Sequence, residues 1–402
     1  MYQRILIPLD GTLWSNWAMD ASIAIAKVCE KPTLIGCHVY GAQMHRTRFG
    51  QMEPGLPEQY QSEQELSRLR GSHEDLITDG MQIISDAYLN ELQERATKEK
   101  MAFKGLTPEG RNYREILKAA NQENVDLIVL GAHGHGHVPE AILGSNAERI
   151  VTYHSKSDVL LIKKPLSLGP KPILVCVDGS QNSYHALIRA ATLAQKTESK
   201  IKAVAVYDPY LHSGVFTNIA GVLPIEKQEK FNFTAQEKIH DEIIDDGLEE
   251  LYHNNLKQGV KLVEDMGVEI DAEVLSGKVF PQLHHHASLL GTALIVVGRW
   301  GLHKEELSLI GSNTHSLAMI CTTNLLVVSE SLEKIQIPSL EVDELLEWTH
   351  DANKILERIP DFAREMAKRS IEKKAREQGL KIVDDRLVQE IAKRMGMKRE
   401  GE

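Results

Sequence analysis

Only four cysteines occur, Cys29, Cys37, Cys176 and Cys321, and none stands in a Cys-x-x-Cys spacing, which removes the zinc-ribbon and dithiol redox readings. Three of them sit in or beside apolar runs, where cysteine behaves as a small hydrophobe, so reduced core thiols are expected. No run of about 18 apolar residues exists to span a bilayer. The opening MYQRILIPLDG enters a strand pattern directly, without an apolar leader or a cleavage site. Together these absences predict a cytoplasmic protein without a membrane partner. A basic excess is missing too: 46 Lys and Arg against 57 Asp and Glu leave a formal charge of −11. A general nucleic-acid scaffold needs cations for the phosphate backbone and is therefore not expected.

What remains is ordinary globular material, 402 residues with 42% hydrophobic and 26% charged, enough for two or three domains with proper cores. Gln3 to Leu9 form an apolar run stopped by Asp10-Gly11-Thr12, and Trp14, Met19, Ile23, Ala24 and Ala26 then mark an amphipathic helix capped by Thr12 or Ser15. Thr33 to Tyr40 reads as a second buried strand. The same order returns in Pro172 to Val177, Asp178-Gly179-Ser180, a helix through Ala186, Ile188, Ala190 and Leu193, and Ile201 to Tyr207, with Val39 falling on Val206. Later strands follow in both copies, Val125 to Leu130 and Val159 to Ile162 in the first, Ala293 to Val297 and Leu325 to Val328 in the second. Apolar strands alternating with helices predict parallel α/β sheets covered on both faces. Gly41 to about Ser85 and Pro209 to about Ile239 read as irregular insertions after the second strand of each copy, variable surface loop leading into a long helix, with an overhang of a site at the strand ends as the alternative.

The strongest signal is a repeated glycine pattern. Gly131, Gly134 and Gly144-Ser145 recur as Gly298, Gly301 and Gly311-Ser312, a displacement of 167 residues (298 − 131) for each, and both sets read Gly, two residues, Gly, nine residues, Gly-Ser. A glycine turn between a strand and a helix that opens with Ser presents unpaired backbone N–H groups and the positive end of a helix dipole at one place, which is an anion site. Asp10 and Asp178, at the carboxyl ends of the first strands, stand where a ribose or base would lie and can accept hydrogen bonds from either.

These residues resemble the universal stress protein family in tandem form, over about residues 1 to 330. The resemblance rests on IPLDGT, VDLIVLGAHGHG and LGSNAERIV in copy one and on ILVCVDGS, ALIVVGRWG and IGSN in copy two. It implies two Rossmann-like (adenine nucleotide alpha hydrolase-like) five-stranded domains, 1–166 and 170–331, binding ATP, or ADP or AMP, with Mg²⁺. Family members pair through their last strands; in a tandem chain both partners come from one molecule, and a homodimer of the whole chain is a second arrangement. Carried over, Asp10 and Val39 would meet the adenosine, with Gly11 and Thr12 beside Asp10, and Gly131, Gly134, Gly144 and Ser145 the ribose and phosphates. The counterparts are Asp178, Gly179, Ser180, Val206, Gly298, Gly301, Gly311 and Ser312. Two departures stand out. Trp300, Leu302 and His303 replace the glycine-rich His133-Gly134-His135-Gly136, so the second loop is bulkier; Asn146 and Asn313 follow each Gly-Ser and offer an extra phosphate donor.

Catalysis is a separate matter. Neither loop is a Walker A and no arginine finger stands out, so slow hydrolysis or none is expected. His133, His135 and His137 alternate, and His284 to His286 are consecutive, but no Cys, Asp or Glu accompanies either set at ligand spacing, so no metal site is assigned; the first set reads as solvated loop histidines, with phosphate contact as the alternative, the second as helix surface.

After Glu330 the strands cease, and residues 340–399 form a third, helical module. Ala363, Ala367, Ile371 and Ala375 share a face, Gly379 supplies a stop, and Asp384 is placed to cap a last helix to about Met395. Trp348-Thr349, Ala352, Leu356, Ile359-Pro360, Phe362-Ala363-Arg364, Glu372, Ala375-Arg376 and Gly379 resemble the small C-terminal domain of the B subunit of light-independent protochlorophyllide reductase. In that enzyme the domain helps to enclose the tetrapyrrole, but the cluster cysteines are absent here and the activity is not carried over. The expected function is nucleotide-binding regulation, relayed to a protein partner through the helical tail. The alternatives are a slow ATPase or phosphotransferase and a tetrapyrrole or redox-complex accessory protein.

Overall fold

The computed structural model describes residues 1–136, 138, 141–154, 156–208, 245–302, 304, 309–329, 334–338, 346–357, 359, 364, 367–368, 371–372, 374–375 and 380–394. The expected insertion at 209–239, and His137, His303, Pro360, Phe362, Ala363, Arg376, Gly379 and Met395, lie outside them. The chain forms two compact units. The first holds Met1–Ala203, Val263–Asp271 and Phe280–Ile335; the second holds Val204–Leu262, Ala272–Val279 and Gln336–Glu402.

The first unit is built on one mostly parallel sheet. Its strands are β1 (Arg4–Pro8), β2 (Thr33–Cys37), β3 (Ala102–Leu106), β4 (Leu127–Gly131), β5 (Asp158–Ile162), β6 (Ile173–Cys176), β9 (Leu294–Gly298) and β10 (Asn324–Val328), together with the first residues of β7 (Ile201–Tyr207) and β8 (Ile270–Ser276). The order is β3-β2-β1-β4-β5-β10-β9-β6-β7-β8. Ile5, Leu6, Ile7, Val129, Leu160, Ile295 and Val296 are wholly buried, as the continuous apolar runs require of a sheet covered on both faces. The helices that cover it include α1 (Leu13–Lys27), α4 (Asn112–Gln122), α5 (Ser145–Tyr153), α6 (Gln181–Thr197) and α9 (Ser312–Ile320). Thr12 caps α1, its hydroxyl accepting from Ser15 N at 3.3 Å, and Ser180 caps α6 in the same way from Ser183 N at 3.1 Å. Gly11 and Gly179 take φ of 73° and 89°, a conformation that favours glycine and turns each first strand into its helix.

The stretch after β2 is more regular than the sequence predicts. It forms α2 (Ala42–Met52) and α3 (Glu63–Lys98), a helix of 36 residues. Ser62 caps α3, Glu63 and Glu65 occupy its first turn, and Arg95 and Lys98 its last, the arrangement that a helix dipole favours. Only Ser85, Leu89, Leu92 and Ala96 are buried, so the first half carries no apolar stripe for periodicity to reveal.

The two copies meet where β5 and β10 run antiparallel, with Leu325, Leu326 and Val327 opposite Leu161, Leu160 and Val159. All six are at most 1% exposed, and burying each contributes about 2 kcal/mol. The first residue of each of these strands ties down the chain just past the end of the other. Asp158 Oδ1 accepts from Ser329 N at 2.9 Å, while Asn324 Oδ1 accepts from Lys163 N and Lys164 N at 2.9 and 3.1 Å. Asp158 Oδ2 also takes the Tyr2 hydroxyl at 2.7 Å and Arg189 Nε at 3.1 Å, and Arg189 lies over the Tyr2 ring. Nearby, Lys163 Nζ reaches the carbonyls of Ala318 and Cys321 at the end of α9, a cation where the helix dipole is negative.

The second unit contains the rest of β7 and β8, α7 (Asp245–Leu262), and the C-terminal module. That module has a core of its own from Ala352, Leu356, Ile359, Ala367, Ile371, Ala375, Val383, Leu387 and Val388. Helix α10 (His350–Glu357) packs on α11 (Asp385–Arg394), which Asp384 caps, Leu387 N donating to Asp384 Oδ1 at 2.9 Å. The expectation that strands cease after Glu330 is corrected: β11 (Glu347–Trp348) pairs parallel with β12 (Ile382–Val383). Two residues per strand are too few for a period-2 pattern to be read. Among the described residues no helix is long and apolar enough to cross a membrane.

Two predictions follow from the seam between the copies. Asp158→Ala removes the partner of a buried network and leaves Arg189 and Ser329 N without an acceptor, so urea denaturation should register a loss of about 3 kcal/mol, with Asp158→Asn losing less. His154 is buried with Nε2 2.8 Å from Ser157 Oγ. Burial first, then the charges of Arg299 and Lys156, push its pKa down from 6.5 to about 4. The unfolded ring therefore binds a proton between pH 6.5 and 4 that the folded ring refuses, and stability falls as pH falls through that window. From pH 7 to 5 the wild type should lose about 2 kcal/mol more than His154→Gln; equal losses would assign the acid sensitivity to other groups.

Candidate functional site

In copy one the carboxyl ends of β1, β2 and β4 open into a cleft of about 1560 Å³. Its walls carry Asp10, Val39, Gly131, Gly134, Gly144, Ser145 and Asn146, so seven of the nine residues expected in this copy are brought together. Gly11 and Thr12 are not on its wall. They shape it from behind: Thr12 donates its N–H and hydroxyl to Asp10 Oδ1 at 3.1 and 2.7 Å, and Gly11 lies under the ring of Tyr88, where an added Cβ would stand 2.4 Å from Cε1.

The three glycines do different things. A Cβ on Gly131 would lie 2.8 Å from the backbone carbon of Trp14, so this glycine lets β4 pack against α1. One on Gly144 would lie 3.0 Å from Ala132 O, the same carbonyl that accepts Gly144 N at 2.7 Å and folds the loop onto itself. Gly134 is different again, since its Cβ would meet only Asp10 Oδ2, at 2.8 Å. Gly144 is the N-cap residue of α5 and uses no side-chain cap, which leaves first-turn N–H groups directed at the cleft. Among the described residues no donor holds Asp10 Oδ2, so this oxygen is available to a ligand.

The sequence did not single out several residues of the same cleft: His38, Tyr40, Arg48, Arg111, Tyr113, Arg114 and Arg149. His38 contacts Ser85 Oγ at 2.7 Å and meets the Tyr88 ring edge-on at 5.1 Å. Burial, aided by His135, lowers its pKa against the pull of Asp10, which favours a neutral ring. His133 packs edge-on against Trp14 with centroids 4.8 Å apart. Among the described residues no three His, Cys, Asp or Glu gather to hold a metal ion, and His284 to His286 lie on α8 (Val279–Leu289).

Copy two repeats the framework and differs at the carboxylate. Gly298 packs against the backbone of Asn182 as Gly131 does against Trp14, and Gly311 N bonds Arg299 O at 2.8 Å. Asp178 Oδ1 accepts from Ser180 N at 2.9 Å, with Gly179 in the turn between them, but Oδ2 accepts from Leu302 N at 3.2 Å. The oxygen left free in copy one is thus held by the loop in copy two. A Cβ on Gly301 would stand 2.5 Å from the same oxygen. Trp300 is 7% exposed, with Lys304 Nζ 4.3 Å from its ring centroid. Ser312 and Asn313 are exposed at the start of α9, and Val206 is buried in β7.

The glycine contacts separate packing from access. Gly131→Ala and Gly298→Ala drive a Cβ into helix backbone and should each lower stability in the absence of any ligand, by about 1–3 kcal/mol. Gly134→Ala meets only a side-chain oxygen and should unfold like the wild type while obstructing the cleft. Thermal denaturation of the three variants distinguishes them.

Comparison with known proteins agrees with this geometry. The model of the universal stress protein family matches residues 1–163 and 170–329. That of the proto-chlorophyllide reductase 57 kD subunit matches 348–391. Universal stress protein YxiE of Bacillus subtilis (strain 168) is 27% identical over 168 residues, 40% of this chain and 100% of that one. Universal stress protein MJ0531 of Methanocaldococcus jannaschii is 28% identical over 167 residues, covering 41% and 84%. Among solved structures, a universal stress protein from Archaeoglobus fulgidus DSM 4304 superposes with a TM-score of 0.52 at 16% identity over 82% of this chain and 96% of its own, a likeness of fold. With two successive matches spanning most of its 402 residues, the chain belongs to the universal stress protein family.

Proposed function

We propose that the chain is a cytoplasmic regulatory protein that binds one adenine nucleotide, ATP with Mg²⁺ or its ADP or AMP relatives, in the cleft of copy one. The observation that carries this reading is the convergence of Asp10, with a free Oδ2, and the Gly134 and Gly144-Ser145 loop on a single cleft. Backbone N–H groups at the start of α5 suit phosphate, and a carboxylate at the end of β1 suits the hydroxyls of a ribose. Copy two serves as the partner that closes the sheet through β10, in the place that a second subunit would take. Its Asp178 is already engaged by Leu302 N, so it contributes no second ligand.

The ligand acts as a signal rather than a substrate, since no Gly-Lys-Ser/Thr follows either glycine set. The C-terminal module, which has its own core, passes the state of the site to a protein partner. Native mass spectrometry with added ATP and Mg²⁺ tests the binding: one nucleotide per chain is expected, lost in Asp10→Ala and retained in Asp178→Ala. No uptake, or two per chain, rejects this assignment. Hydrogen exchange over residues 346–394 tests the relay, which predicts altered protection at saturating ATP; identical exchange removes it.

A further inference from the structure

The glycine loop does not account for the cations of its own cleft. Arg111, Arg114 and Arg149 all line it. Arg149 stands four residues after Ser145 on α5, roughly 6 Å along the axis, and long helical side chains lean back toward the N-terminus, here the end formed by Gly144. Arg111 and Arg114 belong to the start of α4. The two groups meet on one ring, the guanidinium carbons of Arg149 and Arg114 lying 5.0 and 5.8 Å from the Tyr113 centroid. Arg114 Nε donates to Tyr113 Oη at 3.0 Å.

Among the described residues none of the three arginines is paired with a carboxylate. Apart from Asp10, whose Oδ2 lies beside Gly134, the acids of the same wall are directed elsewhere: Glu109 lies 3.3 Å from Arg46, Glu115 3.3 Å from Lys118, and Glu148 4.0 Å from His315. Gathered guanidinium groups without counter-charges repel one another, and their forked donors match phosphate oxygens. The Tyr113 hydroxyl registers the same field, its pKa lowered by the hydrogen bond from Arg114 and then by the charges of Arg114, Arg149 and Arg111. The three arginines do not recur at the matching positions of copy two. At the same displacement of 167 residues (278 − 111) it carries Lys278, Pro281 and Ser316 in place of Arg111, Arg114 and Arg149.

We infer that Arg111, Arg114 and Arg149 form a terminal-phosphate subsite, which makes the copy-one cleft select nucleotides by phosphate number, a triphosphate ahead of a monophosphate or a cyclic monophosphate. This rests on the reading of the cleft as a nucleotide site. The first phosphate is held by the glycine loop and the amides of α5, and those beyond it reach the arginines. The arginines are specificity residues and do not carry the base or the ribose.

Calorimetric titration of the full chain with AMP, cyclic AMP, ADP and ATP tests the subsite, in the wild type and in a variant combining Arg111→Gln, Arg114→Gln and Arg149→Gln. The wild type should bind ATP tighter than ADP and ADP tighter than AMP. The triple variant should lose roughly 10- to 100-fold for ATP while AMP stays within a few-fold, which also certifies that the variant is folded. In the wild type, ATP should move the Tyr113 phenol titration upward, read as the ultraviolet difference from Tyr113→Phe, as phosphate neutralises the surrounding charge. Equal wild-type affinity for AMP and ATP, an undiminished ATP preference in the triple variant, or proportional loss of both ligands overturns the subsite and leaves the nucleotide reading standing. Failure of all four ligands to bind the wild type overturns that reading itself.

Discussion

The antiparallel register of β5 against β10 is the constraint on which the rest of the first unit depends. Parallel strands dominate within each copy, and a parallel sheet that ended at β5 or at β10 would leave an apolar edge with a row of unpaired backbone groups. Setting the two last strands against each other removes both edges at once. The register is held at its ends by side chains that differ in charge but share a task. Asp158 accepts the N–H of Ser329 beyond β10, and Asn324 accepts those of Lys163 and Lys164 beyond β5. A slip of one strand by one residue would turn its three paired aliphatic side chains to the other face and separate both acceptors from their amides. The glycine loops follow β4 and β9, the strands next to this seam in the sheet, so their placement inherits its rigidity.

Much of this was legible because it was apolar or punctuated. β1, β4, β5, β6, β9 and β10 are buried on both faces and read as unbroken hydrophobic runs, and the Asp-Gly-Thr/Ser turns announce the capped starts of α1 and α6. The strands that escaped notice are β3 and β8, which stand at the two ends of the sheet order. Their residues are largely exposed or half-buried, and an edge strand with little core to face carries little periodicity. The first half of α3 was missed for a related reason, since capping and charge placement hold it rather than an apolar stripe.

The site was legible in its backbone and not in its side chains. The glycine spacing located the cleft, but spacing alone treats three glycines as equivalent, whereas their neighbours assign Gly131 to strand–helix packing, Gly144 to loop closure and Gly134 to access beside Asp10. Arg111, Arg114 and Arg149 come from two helices separated by β4 in the chain, so only the fold brings them to one tyrosine. The engagement of Asp178 by Leu302 N was equally hidden, because backbone donors leave no mark on a sequence. The substitution of Leu302 for a residue of the glycine-rich loop was its one visible trace.

The divergence of copy two is a change of use rather than a loss of structure. Arg299 occupies the position of Ala132 and is fully buried. Its Nη1 donates to Thr152 O of copy one at 3.3 Å and to Leu309 O of its own loop at 3.2 Å. Burial lowers its pKa to about 10, which still leaves it cationic at neutral pH, and its Nε and Nη2 have no partner among the described residues. A cation kept in that condition opposes stability, so packing alone does not explain it. What it does achieve is a bond from the second loop to the end of α5, the helix whose beginning lines the cleft of copy one. The loop that holds Asp178 and the helix that faces the copy-one cleft are thereby joined through one side chain. Such a link favours a rigid second copy, because a rearrangement of its loop would disturb the helix that lines the cleft of the first.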